Sequence, residues 1–165
     1  LNELMYLMLL ARGRGAIVHS VGIKEGADGL LFVGASGSGK STTAELWERY
    51  SAATVLSDER VILTKEEGRF WIHGTPWPSR AGSVAALSAP LRRVYFLRHG
   101  AQNQASRVKP SVGVRALLSQ ARLPLWDSKG MEHMLTFFDD LLETVPAQRL
   151  DFVPDASAVE YVRCR

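Results

Sequence analysis

The ten residues GASGSGKSTT, positions 34 to 43, constrain this chain more than any other stretch. They follow the apolar run GLLFV and precede AELWERY, so the sequence predicts a strand, a glycine-rich loop and a helix from Lys40 to Tyr50. Gly34, Gly39, Lys40 and Ser41 satisfy the G-x-x-x-x-G-K-[ST] spacing of a phosphate-binding loop. Glycine reaches backbone conformations closed to other residues, which lets successive N–H groups turn inward around phosphate oxygens. The N-terminus of the following helix adds a partial positive charge. The expected phosphate-binding set is Gly34, Ala35, Ser36, Gly37, Ser38, Gly39, Lys40, Ser41 and Thr42. In it Lys40 spans the β- and γ-phosphates and Ser41 gives its hydroxyl to Mg²⁺.

Binding a nucleotide is not yet chemistry. A second group must hold the metal or activate an acceptor, and the nearest acids lie in VLSDER. An apolar strand ending in an acid has the general form of a metal-binding Walker B element. In an extended strand Asp58 and Glu59 face opposite ways, whereas at a strand's carboxyl end the chain can bend and bring both to a ligand crevice. One carboxylate then holds Mg²⁺ while the other accepts a proton from an attacking hydroxyl; the alternative is a solvated acidic turn. His19 falls in AIVHSVGI, which reads as a strand, and on spacing alone it is a structural residue.

Taken together, VHSVGI, GASGSGKSTT and LSDERV resemble the catalytic domain of the HPr kinase/phosphorylase family, whose fold is related to phosphoenolpyruvate carboxykinase. The motifs lie within residues 16 to 63, with a looser likeness beyond. The resemblance implies an α/β fold, a mixed sheet with flanking helices around the phosphate loop. It places His19 in the active site and makes Asp58 and Glu59 the acid/base carboxylate and a metal contact, Glu59 standing where the family has a second Asp. It further implies an ATP-dependent, Mg²⁺-requiring kinase whose phosphoacceptor is a Ser of a protein or peptide, and a homo-oligomer. Asp58, His19 and Lys40 are then the catalytic residues, and Ser41, Asp58 and Glu59 the metal contacts.

The rest of the chain is compatible with one α/β domain over residues 1 to 165. The opening apolar stretch is too short for a membrane span and is expected to be a core-packing helix ended by RGRG. KEEGRFWIHG reads as a hairpin with Gly68 in its turn, and RRVYFL and QRLDFV as further strands. VGVRALLSQAR, GMEHMLTFFDDLLETVP and DASAVEYV read as helices. The Pro-rich stretch from His73 to Arg80, with Thr75, Trp77 and Ser79, is either a specificity element or an ordinary loop.

Twenty Lys and Arg residues are scattered and the net charge is only +3, so no nucleic-acid or membrane partner is expected. The lone Cys164 excludes an internal disulfide framework and favours a reducing, cytoplasmic setting. A transport ATPase would need an LSGGQ-type segment and a later acidic strand, and a guanine-nucleotide switch an N-K-x-D segment; neither is present. A small-metabolite kinase and a nucleotide-binding ATPase or sensor without a phosphoacceptor are the alternatives.

Overall fold

Strand β3 (Asp28–Val33) runs straight into the glycine-rich loop, and helix α2 (Lys40–Tyr50) begins at the loop's lysine. The computed structural model describes residues 2–10, 12–75, 77 and 85–165. The other elements are α1 (Asn2–Leu10), β1 (Gly15–Val18), β2 (Ser20–Glu25), β4 (Thr54–Ser57), β5 (Val61–Glu66) and β6 (Arg69–His73). They continue with β7 (Ser88–His99), β8 (Gln104–Arg107), α3 (Pro110–Gln120), α4 (Ser128–Thr144), β9 (Ala147–Phe152) and α5 (Ala156–Arg163).

The strands form one mixed sheet. Its path is β1-β5-β6-β7-β3-β2-β4, with β9 beside β7 and β8 beside β9. The twelve-residue β7 is the hinge of this arrangement: its first residues pair antiparallel with β6, and its later ones pair parallel with β9. Along its other edge β7 pairs parallel with β3. Because β2 is antiparallel to both β3 and β4, the carboxyl ends of β3, β4, β7 and β9 share one side of the sheet.

Alternation along β3 divides the core into two layers. Leu31 and Val33 join a cluster with Phe138, Leu117 and Leu141 under α3 and α4. Leu30 and Phe32 join Trp47, Tyr95, Phe152 and Val159 under α2 and α5. Helix α4 turns Met134, Phe137, Phe138 and Leu141 inward and leaves Leu135 exposed.

Three expectations change. AIVHSVGI is not one strand: the chain leaves β5's edge after Val18, bends at His19, and joins β3 from Ser20. Helix α1 buries Leu7 and Leu10 against Ile17 and Ile62 but leaves Leu4, Met5 and Met8 at 50%, 54% and 51% exposure, so only one flank packs on the core. Strand β8, too polar to show as a strand, is held by β9. The β5–β6 hairpin forms as read, with Glu67 and Gly68 at positive φ of 48° and 79° between the paired Glu66 and Arg69. Among the described residues no helix is long and apolar enough to cross a membrane.

The hairpin also carries a half-buried titratable group. His73 Nε2 lies 2.8 Å from Thr64 Oγ1 and its Nδ1 lies 2.7 Å from Ser88 Oγ. Thr64 gives its own proton to Glu66, so Nε2–H donates to Thr64 and a neutral Nδ1 accepts from Ser88. Burial holds the His73 pKa below the ordinary 6.5, only partly opposed by Glu66. The unfolded chain therefore takes up the proton first, and the stability from neutral His73 is complete above that ordinary value and is lost as pH falls through the folded one. His73→Gln is expected to flatten the acid limb of stability against pH in urea titrations; an unchanged slope would contradict this.

Candidate functional site

The loop between β3 and α2 is shaped by what presses on it. Gly37 and Gly39 have φ of 78° and 98°, in the left-handed region. A Cβ on Gly39 would stand 2.5 Å from Phe152 Cζ and 3.2 Å from His99 Cε1, whereas one on Gly37 would meet nothing within 4 Å. Phe152 and His99, from the ends of the neighbouring strands β9 and β7, stack at 5.5 Å between ring centroids. His99 Nε2 lies 3.0 Å from the carbonyl oxygen of Gly37, to which it donates. The carboxyl ends of three parallel strands thus fix the loop.

Helix α2 begins without a side-chain cap, and its first intrahelical link is Thr43 N–H to Gly39 O at 2.8 Å. The amides ahead of it, at the first helical turn, have no helical acceptor and are available to an anion. Lys40 is buried and folds back, donating from Nζ to the carbonyls of Gly34 at 2.7 Å and Ala35 at 3.1 Å. Burial lowers its pKa from the ordinary 10.5.

The two acids follow β4 directly. Ser57 Oγ accepts from the amides of Glu59 at 3.3 Å and Arg60 at 3.0 Å, which bends the strand's end into a turn. Thr75 Oγ1 donates to Arg60 O at 2.8 Å and Ser20 N–H to Glu59 O at 3.2 Å, tying the turn to its surroundings. Asp58 is only 7% exposed and its Oδ1 is buried with no hydrogen-bond partner. Glu59 is half-buried beside Arg60 at 3.6 Å.

His19 stands in the bend between β1 and β2, its amide donating to Gln120 O at 2.8 Å. Burial and then Lys40 lower its pKa from the ordinary 6.5; Arg122 and Arg60 add to this and Glu59 opposes it. Its neutral form is favoured at neutral pH.

A single crevice of about 480 Å³ collects these groups: His19, Ser36, Gly37, Gly39, Lys40, Ser41, Thr42, Asp58, Glu59 and His99 line it. Three residues named from the sequence, Gly34, Ala35 and Ser38, shape the loop without lining the crevice; Ser38 Oγ would stand 2.1 Å from a Cβ on Gly34. His99 is the residue the sequence reading missed. The apolar run RRVYFL ends at Leu97, and only the longer β7 brings a histidine to the carboxyl edge. In the suggested specificity stretch, Thr75 is buried and Trp77 meets Tyr6 edge-on at 5.7 Å, while positions 76 and 78 to 80, with Ser79 and Arg80, lie outside the described residues.

The donors fit a hard divalent cation shared with phosphate. The orphaned Asp58 oxygen, Glu59 and Ser41 offer oxygen ligands, the set Mg²⁺ takes when phosphates complete its shell. Among the described residues no group of three or more His, Cys, Asp or Glu is placed to hold a metal unaided.

No family model matches the chain, and no curated protein matches it. Among solved structures it is similar to the Hpr(Ser) kinase/phosphatase from Coxiella burnetii, at 10% identity and a TM-score of 0.47, covering 90% of each chain.

The two glycines differ in what a side chain would meet. Gly37→Ala meets only the left-handed backbone penalty, about 1–2 kcal/mol, whereas Gly39→Ala adds overlap with Phe152 and is expected to cost more. Denaturant melts of the two variants check the order, and equal losses would mean that Phe152 yields freely.

Proposed function

We propose that this chain is an ATP-dependent kinase that transfers the γ-phosphoryl group to a hydroxyl, a Ser of a protein or peptide. One observation carries the reading: a buried carboxylate oxygen without a partner, on Asp58, shares a crevice with Lys40 and the uncapped start of α2. A buried acceptor left unsatisfied costs free energy, and a hydroxyl proton or a cation arriving with substrate removes that cost. The choice of a Ser acceptor rests on the sequence resemblance of VHSVGI, GASGSGKSTT and LSDERV described above.

Each residue then has a task. The first-turn amides of α2 and the loop receive the phosphate chain. Lys40 exchanges its contacts with Gly34 O and Ala35 O for β- and γ-phosphate oxygens, so a cation already desolvated meets anions at little further cost. Bound Mg²⁺ neutralises charge on the β- and γ-phosphates. Ser41 and Glu59, with Asp58, would hold it in the crevice they share. Asp58 Oδ1 takes the acceptor's proton as the acceptor oxygen bonds to the γ-phosphorus and the bond to the β,γ-bridging oxygen breaks, leaving ADP. His19, favoured as neutral, accepts or donates one hydrogen bond at the acceptor side without adding charge there.

Incubation with γ-labelled ATP, Mg²⁺ and a lysate from the protein's own source tests this. Wild type is expected to label a protein or peptide. Lys40→Ala is expected to weaken ATP binding about 10-fold or more, and Asp58→Asn to keep binding while transfer falls roughly 100-fold or more. Undiminished transfer in Asp58→Asn would remove Asp58 from the mechanism, and label found only in free phosphate would overturn the kinase reading.

A further inference from the structure

A second cleft opens toward the amino ends of β3 and β7, at the opposite end of these strands from the crevice described above. It encloses about 230 Å³ between Glu25, Asp28, Leu30, Arg92, Arg93, Tyr95, Val162, Arg163 and Arg165. Four guanidinium groups face two carboxylates there, and the carboxylates are already engaged: Asp28 pairs with Arg92 at 3.2 Å and Glu25 with Arg163. The excess positive charge resides on Arg93 and Arg165. Arg165 lies over the Tyr161 ring at 4.6 Å.

Arg93 is the informative group. Its Nη1 donates to Tyr95 Oη at 3.1 Å, but its Nε is buried and has no hydrogen-bond partner. A buried guanidinium donor without an acceptor is costly. Tyr95 cannot relax to serve it, because its ring is 1% exposed and stacked on Phe32 at 5.3 Å. A guanidinium leaves its Nε–Nη2 edge as a fork that matches the two oxygens of a carboxylate or phosphate. The volume is below that of usual drug-sized pockets, which restricts the ligand to a small group. The walls Leu30 and Val162 are apolar and would exclude water from the pair.

We propose that this cleft is a binding site for a small oxyanion, a carboxylate or a phosphate monoester group, held by Arg93 with Arg165 beside it. The site is independent of the phosphate loop and of the kinase reading, since none of its lining residues lines the crevice.

Calorimetric titration with inorganic phosphate and, separately, with malonate tests it, using wild type, Lys40→Ala, Arg93→Gln and Arg93→Lys. Because the loop itself is expected to take phosphate, binding is read in Lys40→Ala, where the loop's share is weakened: the tighter event that remains is expected to be lost or weakened about 10-fold or more when Arg93→Gln is added. Arg93→Lys, which keeps the charge but not the fork, is expected to fold as wild type and to lose most of the affinity. Phosphate and malonate binding in Lys40→Ala tells which oxyanion is preferred, and either one supports the site. Absence of any binding event in Lys40→Ala, or one that survives in both Arg93 variants, would overturn the proposal. Either result leaves the kinase reading intact.

Discussion

The parallel pairing of β3 with β7 places everything else at the crevice. It brings Val33 opposite Phe96, so that the loop leaving β3 emerges next to the end of β7, and β9 on β7's other edge delivers Phe152 at the same level. Parallel strands end on one side of a sheet, and the crevice outside those ends is where α/β folds gather ligand groups. Here the geometry is reinforced by contact: Phe152 and His99 stand against Gly39 so closely that any side chain there would collide. The loop is therefore held from behind at Gly39 by the core residue Phe152 and by His99. A loop conformation imposed in this way exists before any ligand arrives, which lowers the ordering cost that binding there would carry.

On the other flank, the position of the acids depends on β2. By pairing with β3 on one edge and β4 on the other, it sets the end of β4, and hence Asp58, across from the loop. A register irregularity between Gly22 and Ile23 accompanies this pairing. Gly22 has its own constraint, since a Cβ there would stand 2.9 Å from Val61 Cγ2. One bend, at His19, both carries the chain from β5's edge to β3's and puts an imidazole beside Glu59 and Lys40.

Local chemistry explains which parts of this were legible in the sequence. Helix α2 was readable to its end residues because glycine, lysine and the amphipathic spacing of Ala44 and Trp47 all act within one segment. The hairpin at Gly68 and helices α3 to α5 are likewise local. Grouping His19, Lys40, Asp58 and Glu59 required motif order, since no local pattern says that a bend separates β1 from β2. His99 was hidden because its neighbourhood is made by Gly37 and Phe152, 62 and 53 positions away by numbering. Strand β8 was hidden for a related reason: Gln104–Arg107 has no apolar alternation, and its strand form is given by β9's hydrogen bonds and by Tyr161 Oη, which accepts from Ala105 N–H at 2.8 Å.

Lys40 and Asp58 pose the remaining question of energetics. Both are 7% exposed in one crevice, yet Lys40 spends its protons on two loop carbonyls and Asp58 leaves an oxygen unmatched. Pairing them directly would stabilise the empty fold, because each desolvated charge costs on the order of several kcal/mol unless compensated. It would also fill the space and neutralise the groups that an incoming phosphate and an incoming proton would meet. The fold prevents collapse by construction: Lys40 is tethered at the start of α2 behind Gly39, and Asp58 is tethered by the Ser57 turn and the Thr75 to Arg60 bond. Kept apart by the start of α2 and the turn after β4, the Lys40 cation and the Asp58 carboxyl leave a gap that, on the reading proposed above, a ligand carrying a phosphate and a transferable proton would close.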